Sequence, residues 1–124
     1  MKLLVVGTGS IGKRHLGNFQ RYFDICDIAD NRQDRIDECK EKFKVDNSYV
    51  NYEEAIEKND YDLVLITLPP HLHLDVAKKA VGKNINLFIE KPLGMNNQGW
   101  KEIAEECNKR GLINYVAYCH RHIN

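Results

Sequence analysis

Long hydrophobic runs, an excess of one charge and paired cysteine motifs are all missing from this sequence, and each absence closes off a class of protein. No apolar run approaches the roughly 20 residues that a bilayer-spanning helix needs. The opening Met-Lys-Leu-Leu-Val-Val-Gly is too short, and too soon broken by glycine, to read as a secretion signal. The reading is therefore a soluble, cytoplasmic chain with no membrane partner. Lys plus Arg number 18 and Asp plus Glu number 18, so the formal net charge is zero. A nucleic-acid partner is not expected, because a duplex binder carries a basic excess. The four cysteines are Cys26, Cys39, Cys107 and Cys119, and none forms a Cys-x-x-Cys pair. Each lies among apolar neighbours in a strand-like or helix-like segment, which reads as buried free thiols of a reducing compartment. Cys119, His120 and His122 match no standard zinc-ligand spacing, so no metal is expected.

What is present is the pattern of a single α/β domain over residues 1–124, with 43% hydrophobic and 29% charged residues and no repeats or linkers. Short β-rich apolar runs alternate with segments of helical period, as in successive parallel βαβ units. Strands are expected at Lys2–Val6, Ile25–Ala29, Ser48–Val50, Leu63–Leu68, Asn84–Ile89 and Ile113–Tyr118. Leu63–Leu68 is apolar apart from Thr67, as a strand buried on both faces should be. Between the strands, one helical face is expected from Ile11, Leu16, Phe19 and Phe23, and another from Ile36, Cys39 and Phe43 within Arg32–Phe43. Asn31 and Asp34 are candidate caps for that second helix. A short helix is expected at Tyr52–Glu57. A longer one carries Leu74, Ala77, Ala80 and Val81, with Gly82 as its C-terminal cap, and a last one runs from Trp100 to Gly111. Six strands with crossover helices predict a Rossmann-type, doubly wound parallel sheet of order 3-2-1-4-5-6, with helices on both faces.

The chemistry begins at Gly7-Thr8-Gly9-Ser10-Ile11-Gly12, a Gly-x-Gly-x-x-Gly string that closes a strand and opens a helix. In that context Gly7 permits the tight turn, Gly9 lets a pyrophosphate approach the backbone, and Gly12 allows close packing of helix on strand. Unpaired N–H groups and the positive end of the helix dipole then meet the anion. Asp30 follows Gly12 by 18 positions, at the end of the second strand. A carboxylate there accepts hydrogen bonds from the adenosine ribose and repels a 2′-phosphate, which favours NAD over NADP. Arg32 argues the other way, since a guanidinium can pair with that phosphate. Asn31 lies between them at the ribose end of the site. Asp27, in mid-strand, is the weaker ribose candidate.

Ile66-Thr67-Leu68-Pro69-Pro70-His71-Leu72-His73 and Glu90-Lys91-Pro92, with Gly12-Lys13-Arg14-His15, Tyr118 and Arg121, resemble the glucose-fructose oxidoreductase/inositol dehydrogenase (Gfo/Idh/MocA) oxidoreductases over essentially the whole chain. The resemblance implies an NAD(P)-binding domain of an enzyme that transfers hydride between a nicotinamide cofactor and a sugar, inositol or related polyol or carbonyl substrate. It implies that Lys91 is the catalytic residue beside nicotinamide and substrate, with Glu90 positioning it or contacting the cofactor ribose. It also implies that Thr67, Leu68, Pro69, Pro70 and His73 line the nicotinamide-ribose side. Arg14 and His15 would support the pyrophosphate or pack on the helix. Tyr118 and Arg121 would lie near an interdomain cleft. Family members continue into a C-terminal α/β domain that supplies substrate contacts and is absent from these 124 residues. Two expectations follow: a homodimer formed through surface that domain would cover, and, as the other functional reading, a dinucleotide-binding module or partner subunit without chemistry of its own.

Overall fold

The computed structural model describes residues 1–68, 70–90 and 99–117. Pro69, Lys91, Pro92, Tyr118, Cys119, His120, Arg121 and His122 lie outside the described residues. Six strands form one sheet: β1 Lys2–Val6, β2 Ile25–Ala29, β3 Asn47–Tyr49, β4 Leu63–Ile66, β5 Asn86–Glu90 and β6 Asn114–Ala117. Their order is β3-β2-β1-β4-β5-β6, and every neighbouring pair is parallel. Among the described residues five α-helices connect them: α1 Ser10–Phe19, α2 Gln33–Lys42, α3 Tyr52–Lys58, α4 Pro70–Gly82 and α5 Trp100–Arg110.

Strand β1 shows why the sheet runs are apolar without alternation. Leu4 and Val6 join a core with Val64, Ile66, Leu87 and Ile89, capped by Ala55 and Ile56 of α3, Val76, Ala77, Ala80 and Val81 of α4, and Ile103 and Cys107 of α5. Leu3 and Val5 point into a second core with Cys26, Ile28 and Leu65, beneath Leu16 of α1 and Ile36 and Cys39 of α2. Both faces are thus covered by helices, and a strand buried on both sides has no polar face to show.

Register sets the site. Val6 pairs with Ala29 on one side and Ile66 on the other. Gly7, Asp30 and Thr67 therefore leave the same sheet edge together. Asp27 is buried one turn of the pleat away and is spent on architecture. Its carboxylate accepts from the Asn47 backbone N–H at 3.0 Å, from Asn47 Nδ2 at 3.1 Å and from the Tyr61 hydroxyl at 2.6 Å, tying β2 to β3 and to the approach to β4.

Several local expectations need correction. Helix α1 ends at Phe19, followed by a 3-10 turn at Gln20–Tyr22, so Phe23 lies past the helix in extended conformation. Ile11 is exposed and lines a cavity over the glycine turn rather than the core. Arg32 occupies the N-cap of α2 and no side chain caps that helix, so neither Asn31 nor Asp34 has the capping role. Gly82 is the last residue of α4; the left-handed residue that turns the chain is Asn84, at φ 62°. Gly111, at φ 69°, does end α5.

Candidate cofactor site

Gly7 adopts φ 96°, a region that a side chain strains to enter. Its N–H donates to the Ala29 carbonyl at 2.8 Å and its own carbonyl accepts from Thr67 Oγ1 at 2.6 Å. The turn is therefore clamped from β2 and from the end of β4. Gly12 packs so closely that a Cβ there would stand 2.0 Å from the Gly7 carbonyl oxygen. At Gly9 the space is open: a Cβ would meet only the Arg35 guanidinium, at 3.7 Å and 3.9 Å. Gly9 is the N-cap of α1, with no side-chain cap and no acidic residue in the first turn. The first N–H groups and the positive dipole end are left for an external anion. The cavity over this turn measures about 350 Å³ and is bounded by the turn itself with Arg35, Thr67 and Leu68.

Beside it, and sharing Leu68, lies a second cavity of about 310 Å³. Its walls are largely apolar, from Val6, Val50, Leu68 and Leu72, with Asp30 and Asn31 at one side and Tyr52 and Glu53 at the other. Both volumes fall in the range of small-molecule sites. Asp30 stands between them. Its side chain is 2% exposed, and Oδ2 accepts from the Thr8 N–H at 2.7 Å and the Thr8 hydroxyl at 2.8 Å, while Oδ1 accepts from the Arg32 N–H at 2.9 Å. A carboxylate offers about four acceptor positions, so Oδ1 retains capacity for one more donor. The Tyr52 hydroxyl donates to Asp75, which in turn holds Lys79 at 3.2 Å, while Lys79 reaches Glu53 at 3.3 Å. Burial first, and the Asp75 carboxylate second, push the Tyr52 phenol well above its ordinary value, so it stays a donor that braces α3 against α4.

The sequence candidates divide accordingly. Gly7, Thr8, Gly9, Ser10, Ile11, Gly12, Asp30, Asn31, Thr67 and Leu68 meet at the two cavities or at the contacts that build them. Thr8 and Thr67 serve through hydrogen bonds that hold the turn in place. Arg32 points elsewhere, bound to Asp34 at 2.9 Å with both side chains exposed. His73 is 1% exposed, and its Nε2 lies 2.5 Å from the Leu68 carbonyl, so it supports the segment from beneath rather than lining a surface. Pro70 opens α4 and Glu90 closes β5. Arg14 is exposed, and His15 packs edge-on against Phe88, with ring centres 5.4 Å apart. Arg35 was missed. Its only sequence signal is its place in the first turn of α2, five residues after Asp30. Among the described residues no group of three or more His, Cys, Asp or Glu can hold a metal, and no helix is long and apolar enough to cross a membrane.

A family model described as an oxidoreductase family with the NAD-binding Rossmann fold matches residues 1–118. The myo-inositol 2-dehydrogenase of Thermotoga maritima is 31% identical over 123 residues, which is 98% of this chain and 37% of that protein. A probable dehydrogenase from Thermotoga maritima superposes with TM-score 0.84 at 30% identity, over 94% of this chain and 35% of that one. An NAD binding oxidoreductase from Klebsiella pneumoniae gives TM-score 0.82 at 26% identity, over 95% of this chain and 34% of that one. The chain thus spans little more than a third of the length of these proteins. The clamped glycine turn, the carboxylate at the end of β2 and the match across residues 1–118 lead to one conclusion: the chain belongs to the Gfo/Idh/MocA oxidoreductase family and is its NAD-binding Rossmann domain.

Proposed function

We propose that residues 1–124 are the cofactor-holding part of an NAD-dependent dehydrogenase or reductase acting on an inositol, sugar or related polyol. The observation that carries this reading is Asp30, a buried carboxylate fixed by Thr8 at the junction of two cavities with one acceptor position left. A diphosphate over the glycine turn brings its adenosine into the more apolar cavity, with a ribose hydroxyl at Asp30 Oδ1. A 2′-phosphate there meets a carboxylate with no room to retreat, which favours NAD over NADP. Arg32 does not offset this, because its guanidinium is occupied by Asp34. Nicotinamide, when bound, supplies the hydride acceptor or donor; this chain's residues bind and orient it. The polyol substrate class rests on the named function of the Thermotoga relative. Lys91 carries the catalytic role, and Glu90, Pro69 and Pro70 the nicotinamide side, on the strength of the family motifs alone, with His73 supporting that side through the Leu68 carbonyl.

Calorimetry and thermal melting with NADH test the proposal. Binding heat and a raised melting temperature are expected. No heat and no shift at millimolar NADH overturn it. Asp30→Asn should weaken NAD about tenfold, the scale of one hydrogen bond to a charged group, and weaken NADP less. Equal loss for both cofactors removes the ribose assignment.

A further inference from the structure

We infer that Arg35 is the side-chain clamp on the cofactor diphosphate, a role that rests on the dinucleotide reading above and adds a specific cation to it. Backbone N–H groups and a helix dipole offer only partial charge, on the order of half an elementary charge at the helix start, against a diphosphate that carries two negative charges. A full positive charge at the same place removes much of that mismatch. Arg35 is the only ionisable side chain among the described residues that line the cavity over the turn.

Its placement is specific. The guanidinium lies over Gly9, where Nη1 and Cζ stand 3.7 Å and 3.9 Å from the point a Cβ would occupy. That is the spot a phosphate must cross to reach the turn. Asp30 keeps the group nearby without consuming it. Nη1 is 3.8 Å from Asp30 Oδ2, beyond hydrogen-bond range, and Oδ2 already accepts two donors from Thr8. The Arg35 guanidinium makes no hydrogen bond to any described residue, so its planar fork of donors is available for two phosphate oxygens. The side chain is 41% exposed, so an arriving ligand can reach it. Arg32, nearer to Asp30 in sequence, has its fork taken by Asp34.

A guanidinium beside Asp30 can also be read as a partner for a ribose 2′-phosphate. Cavity membership decides against that. Arg35 borders the cavity over the glycine turn and not the one bounded by Asn31, Asn51 and Tyr52, where the adenosine end belongs. Asp30 thereby acts twice, accepting from the ribose and holding the clamp within reach of the diphosphate.

The test measures adenosine, ADP, NAD and NADP binding to the whole chain by calorimetry, for wild type, Arg35→Gln, Arg35→Lys and Lys40→Ala. Lys40 is an exposed cation on the same helix and controls for the loss of one charge. Arg35→Gln should weaken ADP and NAD about tenfold and flatten their dependence on salt, leave adenosine unchanged, and melt like wild type without ligand. Arg35→Lys should fall between, and Lys40→Ala should match wild type. The inference is overturned if Arg35→Gln binds NAD as wild type does, if the loss is confined to NADP, or if adenosine is weakened as much as ADP. A wild-type chain that binds ADP but not NAD overturns the dinucleotide reading and leaves the clamp standing. One that binds neither defeats both.

Discussion

Two alanine substitutions in the same turn should have opposite consequences, and the difference follows from distances of a few ångströms. In Gly12→Ala the new methyl lies 2.0 Å from the Gly7 carbonyl oxygen and 2.9 Å from Thr67 Oγ1. Ordinary contact begins near 3.4 Å, so the backbone must give by more than an ångström. Gly7 cannot retreat, since its N–H is bound to Ala29 and its carbonyl to Thr67. Overpacking of this kind costs about 1–3 kcal/mol, and breaking the Thr67 hydrogen bond adds about 1 kcal/mol. At roughly 4 °C per kcal/mol for a domain of this size, the melting temperature should fall by about 8–16 °C. In Gly9→Ala the methyl meets only the mobile Arg35 guanidinium at 3.7 Å, and φ is −71°, which alanine adopts freely. Losing glycine for alanine at an N-cap costs about 0.5–1 kcal/mol, so melting should drop by no more than about 4 °C. That methyl nevertheless stands where the diphosphate must come. Intrusion of about 1–3 kcal/mol translates into a five- to hundredfold loss of NADH affinity. Circular-dichroism melts with and without NADH, alongside calorimetry, separate the two effects. Gly9→Ala binding NADH as wild type does would refute the path over the turn, and Gly12→Ala melting with wild type would refute the close-packing argument.

Stability should decline as pH rises above 9. Burial raises the Cys39 thiol from 9.0 to about 11, and burial with Asp27 raises the Tyr61 phenol. The unfolded chain therefore sheds these protons first, and the stabilisation present below pH 9 is lost toward the folded-state values. A melting temperature that stays flat from pH 8 to 11 contradicts this. In an active enzyme that carries this domain, Lys91→Ala should leave NADH binding nearly intact and abolish turnover, as read by calorimetry and by NADH absorbance during steady-state assay. Retained turnover takes the catalytic role away from Lys91.

Strand and turn positions were legible where local chemistry and tertiary demand agree. Lys2–Val6 and Ile25–Ala29 are apolar enough to mark strands buried on both faces, and the glycines after the first can be accommodated by few other structures. The position of Asp30 at the end of β2 beside the glycine turn was legible because it follows from a spacing. Arg35 was not, because a charged residue in the first turn of a surface helix ordinarily faces water. Only the fold reveals that the start of α2 leans over the glycine turn of α1. The reverse happened at Arg32, whose closeness to Asp30 in sequence suggested a phosphate partner, while Asp34 two residues on provides a nearer charge. Thr8 and Thr67 illustrate a subtler gap. They belong to the site, yet their hydroxyls are spent on Asp30 and Gly7, and no pattern distinguishes a hydroxyl that meets a ligand from one that holds the residue that does.

The same contacts determine how far the cleft is organised before a ligand enters. Every buried polar side-chain atom among the described residues has a partner, including those of Thr8, Asp27, Asp30 and His73. A cleft already satisfied in this way loses little conformational freedom when a ligand enters, so less of the interaction energy is offset by ordering. The Thr8–Asp30 pair fixes the carboxylate, Thr67 fixes the turn, and the Leu68 carbonyl rests on His73. Apart from His73, which reaches in from α4, these groups lie at the ends of β1, β2 and β4 and in the turns that follow. Arg35 is the exception, with its guanidinium donors unspent on described residues and only the 3.8 Å approach to Asp30 holding it near. The ligand-sized cavities are therefore built mainly by the turns after β1, β2 and β4, with Leu72 of α4 closing one of them.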